Sequence, residues 1–122
     1  MTGPTQVRLR RVYDQPEPAD GRRVLVDRLW PRGLSKSRAA LDDWLQAVAP
    51  SDELRRWYSH QPDRFGDFRQ RYQTELRGPA GSAAFARLQE LARSGPVTLL
   101  TATRDLGHSQ AAVLAELLRS TS

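Results

Sequence analysis

Apolar positions along the chain fall into strand-like stretches near its two ends and helix-like stretches between them. Val7 to Tyr13 alternates, with Val7, Leu9 and Tyr13 on one side and Arg8 and Arg10 on the other. That pattern predicts a half-buried or edge strand. Asp14 to Gly21 holds two prolines and a glycine and predicts a loop. Arg23 to Trp30 contains the run Val24-Leu25-Val26, a buried strand that gives way to a turn at Pro31-Arg32-Gly33.

The middle of the chain changes period. Leu41, Trp44, Leu45 and Val48 fall at i, i+3, i+4 and i+7, one face of a helix that Pro50 ends. Ser51 is placed to cap a second helix, with Asp52 and Glu53 at its positive end and Leu54, Trp57 and Tyr58 on its apolar side. Pro62 interrupts. Phe65, Phe68, Tyr72 and Leu76 stripe a third helix, which stops at Gly78-Pro79. Ser82 caps a fourth, carrying Phe85, Leu88 and Leu91 up to Gly95-Pro96. Val97 to Ala102 is a second buried strand, Thr103 to Gly107 a loop, and Ala111, Leu114, Ala115 and Leu118 stripe the last helix.

The predicted order is β-β-α-α-α-α-β-α. Helices separate the two most apolar strands, so these cannot form a tight hairpin. They are expected to lie parallel in a small sheet of about three strands packed by about five helices, a Rossmann-like α/β fold, three-layered or partly open. At 122 residues one domain is expected. Its core should span about residues 7–118, with 1–6 and 119–122 as flexible ends. No internal repeat or low-complexity segment stands out.

Composition narrows the chemistry. There is no cysteine, which excludes disulfides, thiolate metal sites and a cysteine nucleophile and fits a reducing compartment. Two histidines, His60 and His108, are too few for an all-histidine zinc site, so no metal is expected. No apolar run approaches the ~20 residues of a membrane span, and Met1 to Gln6 lack the apolar core of a secretory signal. The expectation is a cytoplasmic protein with no membrane partner. The net charge is +5, and of nineteen cations only Lys36 is lysine. Acids and bases mix along the helices without a run of five like charges, so a solvated mixed surface is preferred to a nucleic-acid footprint. Familiar signatures of dinucleotide, P-loop, hydrolase and zinc-protease sites are absent, and no cofactor is expected.

In open α/β sheets ligands bind beyond the carboxyl ends of the strands. If the two apolar strands are neighbours, one mouth collects Asp27, Arg28, Trp30, Arg32, Arg104, Asp105 and His108. Guanidinium forks beside the start of the last helix suit a phosphate or carboxylate, a small phosphorylated ligand such as a nucleotide. Asp27 or Asp105 would orient a hydroxyl or a base, and His108 would shuttle a proton. The plainer alternative is that Asp27 and Asp105 pair with Arg28 and Arg104 and only fix the loops, that the three tryptophans are core anchors, and that Ser109 caps the last helix. Two other functions stay open beside ligand binding: a catalytically silent protein-interaction domain, and a nucleic-acid-binding module using the dispersed arginines. The sequence leaves the oligomeric state open, and whether the protein is an enzyme.

The stretches Arg23–Lys36 (RVLVDRLWPRGLSK), Ala49–Trp57 (APSDELRRW), Arg64–Leu76 (RFGDFRQRYQTEL) and Val97–His108 (VTLLTATRDLGH) resemble the YeaO-like branch of the domain-of-unknown-function 488 family. The resemblance runs from about Val7 to Leu118. It implies a small single α/β domain and no settled activity. The wider family looks as though its last strand ends in Cys-x-Glu and its last helix starts with Cys-His-Arg. Here the first Cys falls on Thr101, the Glu on Thr103 and the Cys-His pair on His108 and Ser109, so cysteine-dependent chemistry cannot be carried over. Some relatives carry labels as MarR-type transcription regulators. The predicted strands at opposite ends, and the lack of a basic recognition helix, argue against a winged helix here.

Overall fold

In the computed structural model, which describes residues 6–120, four strands form one all-parallel sheet. The strands are β1 (Val7–Arg11), β2 (Arg22–Leu25), β3 (Asp43–Trp44) and β4 (Val97–Thr101), in the order β1-β4-β2-β3. The helices are α1 (Lys36–Ala39), α2 (Asp52–Tyr58), α3 (Phe65–Leu76), α4 (Pro79–Ser94) and α5 (Gln110–Ser120). The two apolar strands are neighbours: Val24 pairs with Leu99 and Leu25 with Leu100. β1 lies at the edge against β4.

Successive strand residues point to opposite faces, and this alternation sorts the core into two. Val7, Val24, Val26, Val97 and Leu99 join Phe68, Tyr72, Leu88 and Leu114 from the helices in the larger cluster. Leu25 and Leu100 face the other way, into a smaller cluster with Val12, Leu34 and Ala39, against which Trp30 and Trp44 pack. These two indoles meet edge to face, with centroids 5.4 Å apart. Both are held by hydrogen bonds as well: Trp30 Nε1 donates to the Leu34 carbonyl and Trp44 Nε1 to the Asp27 carbonyl, each at 2.7 Å.

Residues 41–48 are not a helix. Asp43 and Trp44 form β3, and Gln46–Val48 make a single 3-10 turn. The open edge of β2 decides this: Asp42 N donates to the Arg23 carbonyl and Leu45 N to the Leu25 carbonyl. Four apolar residues over eight positions suit an edge strand plus a turn as well as a short helix, and pairing with β2 satisfies backbone groups that a helix would leave unpaired. The helix on this side is α1, just upstream, where Ser35 Oγ accepts from Arg38 N. The sheet therefore has a fourth strand.

Other boundaries shift. β2 stops at Leu25, and residues 26–34 form an ordered loop. α4 begins at Pro79 instead of Ser82, since proline's fixed φ and missing N–H suit the first helical position; Ser82 Oγ donates to the Pro79 carbonyl. The Ser51 cap on α2 is as expected, accepting from Leu54 N at 3.1 Å. Gln6 accepts from Val97 N, and Arg119 donates to the Val7 carbonyl. Of the ends expected to be flexible, residues 1–5 and 121–122 lie outside the described residues. Among the described residues no helix is long and apolar enough to cross a membrane.

Candidate functional site

β2 and β4 end side by side, and the chain leaving each turns away from the sheet. A cleft of about 500 Å³ opens there, within the size range of small-molecule sites. The loop after β2 supplies Asp27, Arg28, Leu29, Trp30 and Arg32, the end of α2 supplies Arg55, Arg56, Tyr58, Ser59 and His60, and the segment after β4 supplies Thr103, His108 and Gln110. Of the residues expected at this mouth, Asp27, Arg28, Trp30, Arg32 and His108 line it. Arg104 is exposed on the loop beyond it, and Asp105 reaches it only through His108.

Asp27 sits where the strands end. Its Oδ1 accepts from Thr101 Oγ1 at 2.7 Å and from Gln110 Nε2 at 2.5 Å, and its Oδ2 accepts from Ala102 N at 2.8 Å. All three donors are uncharged. Burial raises its pKa, and these hydrogen bonds, with the Arg55 charge, only partly offset that, so the carboxyl stays above its ordinary value. The pairing of Asp27 with Arg28 is not formed; Arg28 instead donates to the carbonyls of Ala49 and Pro50, both at 3.3 Å.

His108 is held on several sides. Its Nδ1 lies 2.8 Å from Asp105 Oδ2, its ring stands edge-on to Phe65 at 5.3 Å, and its carbonyl accepts from Tyr58 Oη at 2.6 Å. A carboxylate can only accept, so Nδ1–H donates in this contact, and in the neutral ring Nε2 is the nitrogen left to accept. Burial, helped by the Asp105 charge, raises the Tyr58 phenol above its ordinary pKa. Ser109 caps α5, its Oγ accepting from Ala112 N and donating to the Leu106 carbonyl.

The α2 contribution was not foreseen. Ser59 and His60 both hold positive φ, 49° and 55°, a costly pair of conformations for non-glycine residues. This carries the chain from α2 along the cleft towards Pro62. Arg55 is paired with Asp52 at 2.8 Å. Arg56 and Arg32 are exposed and make no side-chain ion pair or hydrogen bond among the described residues. The paired arginines of the Ala49–Trp57 stretch were the available signal, but only the placement of α2 shows that they reach the strand ends. Among the described residues no group of three or more His, Asp or Glu side chains could hold a metal ion.

The model of the inactive DUF488-N3 subclade matches residues 6–122. The chain belongs to this family. It is 52% identical over 118 residues to the uncharacterized protein Rv3073c of Mycobacterium tuberculosis, covering 97% of this chain and 98% of the relative. It is 40% identical over 114 residues to the uncharacterized protein YeaO of Escherichia coli, covering 93% and 97%. No solved structure gives a significant match. All four stretches that carry the DUF488 resemblance contribute residues to the lining of this cleft. Thr101, aligned with the wider family's cysteine, is fully buried, with its hydroxyl committed to Asp27.

Proposed function

We propose that this domain binds a small phosphate- or carboxylate-bearing molecule at the carboxyl ends of β2 and β4 without transforming it. The carrying observation is the set of arginines lining one cleft, Arg28, Arg32, Arg55 and Arg56, of which Arg32 and Arg56 have no ion-pair partner among the described residues. Unneutralised guanidiniums on a concave surface favour anions, and their fork matches phosphate and carboxylate oxygens. The lack of cysteine fits a cytoplasmic setting for such a ligand. The absence of catalysis is supported by the description of the subclade as inactive and by Thr101, a buried hydroxyl bound to a carboxylate where the resemblance aligns a thiol. A second reading, proton transfer by His108, is favoured by the Asp105 contact that leaves Nε2 to accept in the neutral ring.

A thermal-shift titration tests the reading. Inorganic phosphate and simple phosphate esters at 100 times the dissociation constant should stabilise the protein by about 2.7 kcal/mol, a rise of several degrees. The double substitution Arg32→Ala, Arg56→Ala should abolish the rise, and Arg93→Ala, an exposed position on α4, should keep it. A shift that survives the double substitution, or no shift with any anion, overturns the reading. Binding of oligonucleotides alone, falling steeply with salt, would replace it by a nucleic-acid module.

A further inference from the structure

Leu29 is 64% exposed and is the one large hydrophobic residue left exposed among the described residues. It lines the same cleft as the arginines. An exposed leucine on a slack loop would mean little, but this loop is pinned on both sides of it. The carbonyl of Asp27 accepts from Trp44 Nε1 at 2.7 Å and that of Arg28 from Gln46 Nε2 at 3.1 Å. Beyond Leu29, Trp30 Nε1 donates to the Leu34 carbonyl at 2.7 Å and the Arg32 carbonyl accepts from Tyr13 Oη at 2.9 Å. Pro31 is buried. The fold thus holds an apolar side chain in water, three residues from the free guanidinium of Arg32.

A fixed apolar contact next to a fixed cationic one fits a molecule with both characters. We propose that the cleft selects a nucleoside monophosphate, with Leu29 packing on the face of the base while Arg32 and Arg56 hold the phosphate. The inference rests on the anion-binding reading and adds the part of the ligand which that reading leaves open. Every base has a flat face, so a contact made to that face is tolerant of base identity. Cleft size agrees, since about 500 Å³ holds a mononucleotide with solvent to spare.

Calorimetric titrations with adenosine and uridine 5′-monophosphate and with ribose 5-phosphate, which lacks the base, test this in wild type and Leu29→Asn. Leu29 is exposed, so the substitution should leave the fold intact. In wild type the nucleotides should bind about tenfold more tightly than the sugar phosphate, as expected for roughly 55 Å² of buried apolar surface. Leu29→Asn should remove most of that advantage and leave ribose 5-phosphate within about twofold of its wild-type affinity. Equal affinity of all three ligands in wild type, or an advantage that survives Leu29→Asn, overturns the proposal while anion binding stands. Failure of ribose 5-phosphate and both nucleotides to bind removes the anion reading and this proposal together.

Discussion

Asp20 and Asp27 sit just beyond the two ends of β2, and both carboxylates are drawn into the protein. Asp20, at the amino end, is fully buried and faces three arginines: Arg23 at 2.6 Å, Arg10 at 3.0 Å and Arg8 at 3.1 Å. Arg8, Thr98 and Arg23 occupy one row across β1, β4 and β2, and Thr98 Oγ1 donates to the Asp20 carbonyl at 2.8 Å. Burial raises the pKa of Asp20, but the Glu17 N–H, the Arg23 hydrogen bond and the charges of Arg10 and Arg23 outweigh it and hold it below its ordinary value. Asp27, at the carboxyl end, accepts only from uncharged donors and is shifted the other way. One end of the strand spends its arginines on closing the structure. The other pairs its carboxylate with no arginine, although the Arg55 charge still acts on it, and Arg32 and Arg56 line an open cleft without an ion-pair partner among the described residues. The difference separates an ion-pair cluster that ties a turn to the sheet from a carboxylate held by neutral donors beside a cleft lined with arginines.

Breaking the amino end should have the largest effect. Asp20→Ala strands the buried Arg23, only 4% exposed, without its carboxylate. Removing one partner of a buried pair costs about 3–5 kcal/mol, so urea unfolding should show a loss of that size, with anion binding intact in the protein that remains folded. A loss under 1 kcal/mol would mean that the cluster is ornamental.

The opposite pKa shifts sharpen the comparison. Asp20, depressed in the folded state, contributes stability above the ordinary carboxylate range near pH 3.9, lost as the pH falls through its folded value. Asp27, raised, contributes most below that range and loses its contribution as the pH rises through its folded value. Asp20→Asn should therefore cost most at neutral pH and least in acid, and Asp27→Asn the reverse, with a cost at neutral pH of about 1 kcal/mol. Unfolding of both variants across pH 2.5–7 checks this. Parallel profiles would show that the two carboxylates are equivalent.

The smallest effect is expected at Arg104. Its guanidinium is exposed beyond the cleft, so Arg104→Ala should change phosphate affinity by less than about twofold, through screened long-range charge alone. A tenfold loss would mean that the loop after β4 folds over the ligand.

The sequence made the carboxyl end of the sheet more legible than its edge. Val24-Leu25-Val26 and Val97-Thr98-Leu99-Leu100 place apolar residues on both faces, which is what central parallel strands need; their ends named Asp27, Arg28, Trp30, Arg32 and His108, and also Arg104 and Asp105, which do not line the cleft. The edge at Asp43-Trp44 was hidden, because a two-residue strand has no period of its own and its neighbours fall at helical spacing. Arg55, Arg56 and His60 were hidden for a different reason. Their place at the cleft depends on where α2 docks, and on consecutive left-handed residues that nothing in Ser59-His60 announces. The Asp20 cluster joins the last residue of the 3-10 turn Pro18–Asp20 to three arginines on two strands, a tertiary contact that local patterning does not record.

Nuclear magnetic resonance titration with phosphate tests the contrast most directly, because it reports both ends of β2 in one sample. The guanidinium signals of Arg32 and Arg56, and the amides of residues 27–30, 32, 55–60 and 102–110, should shift saturably, while Arg8, Arg10, Arg23 and Asp20 stay still. Shifts centred on Arg8 and Arg10, or spread evenly over the arginines of the surface, would contradict the assignment of the ligand site to the carboxyl end.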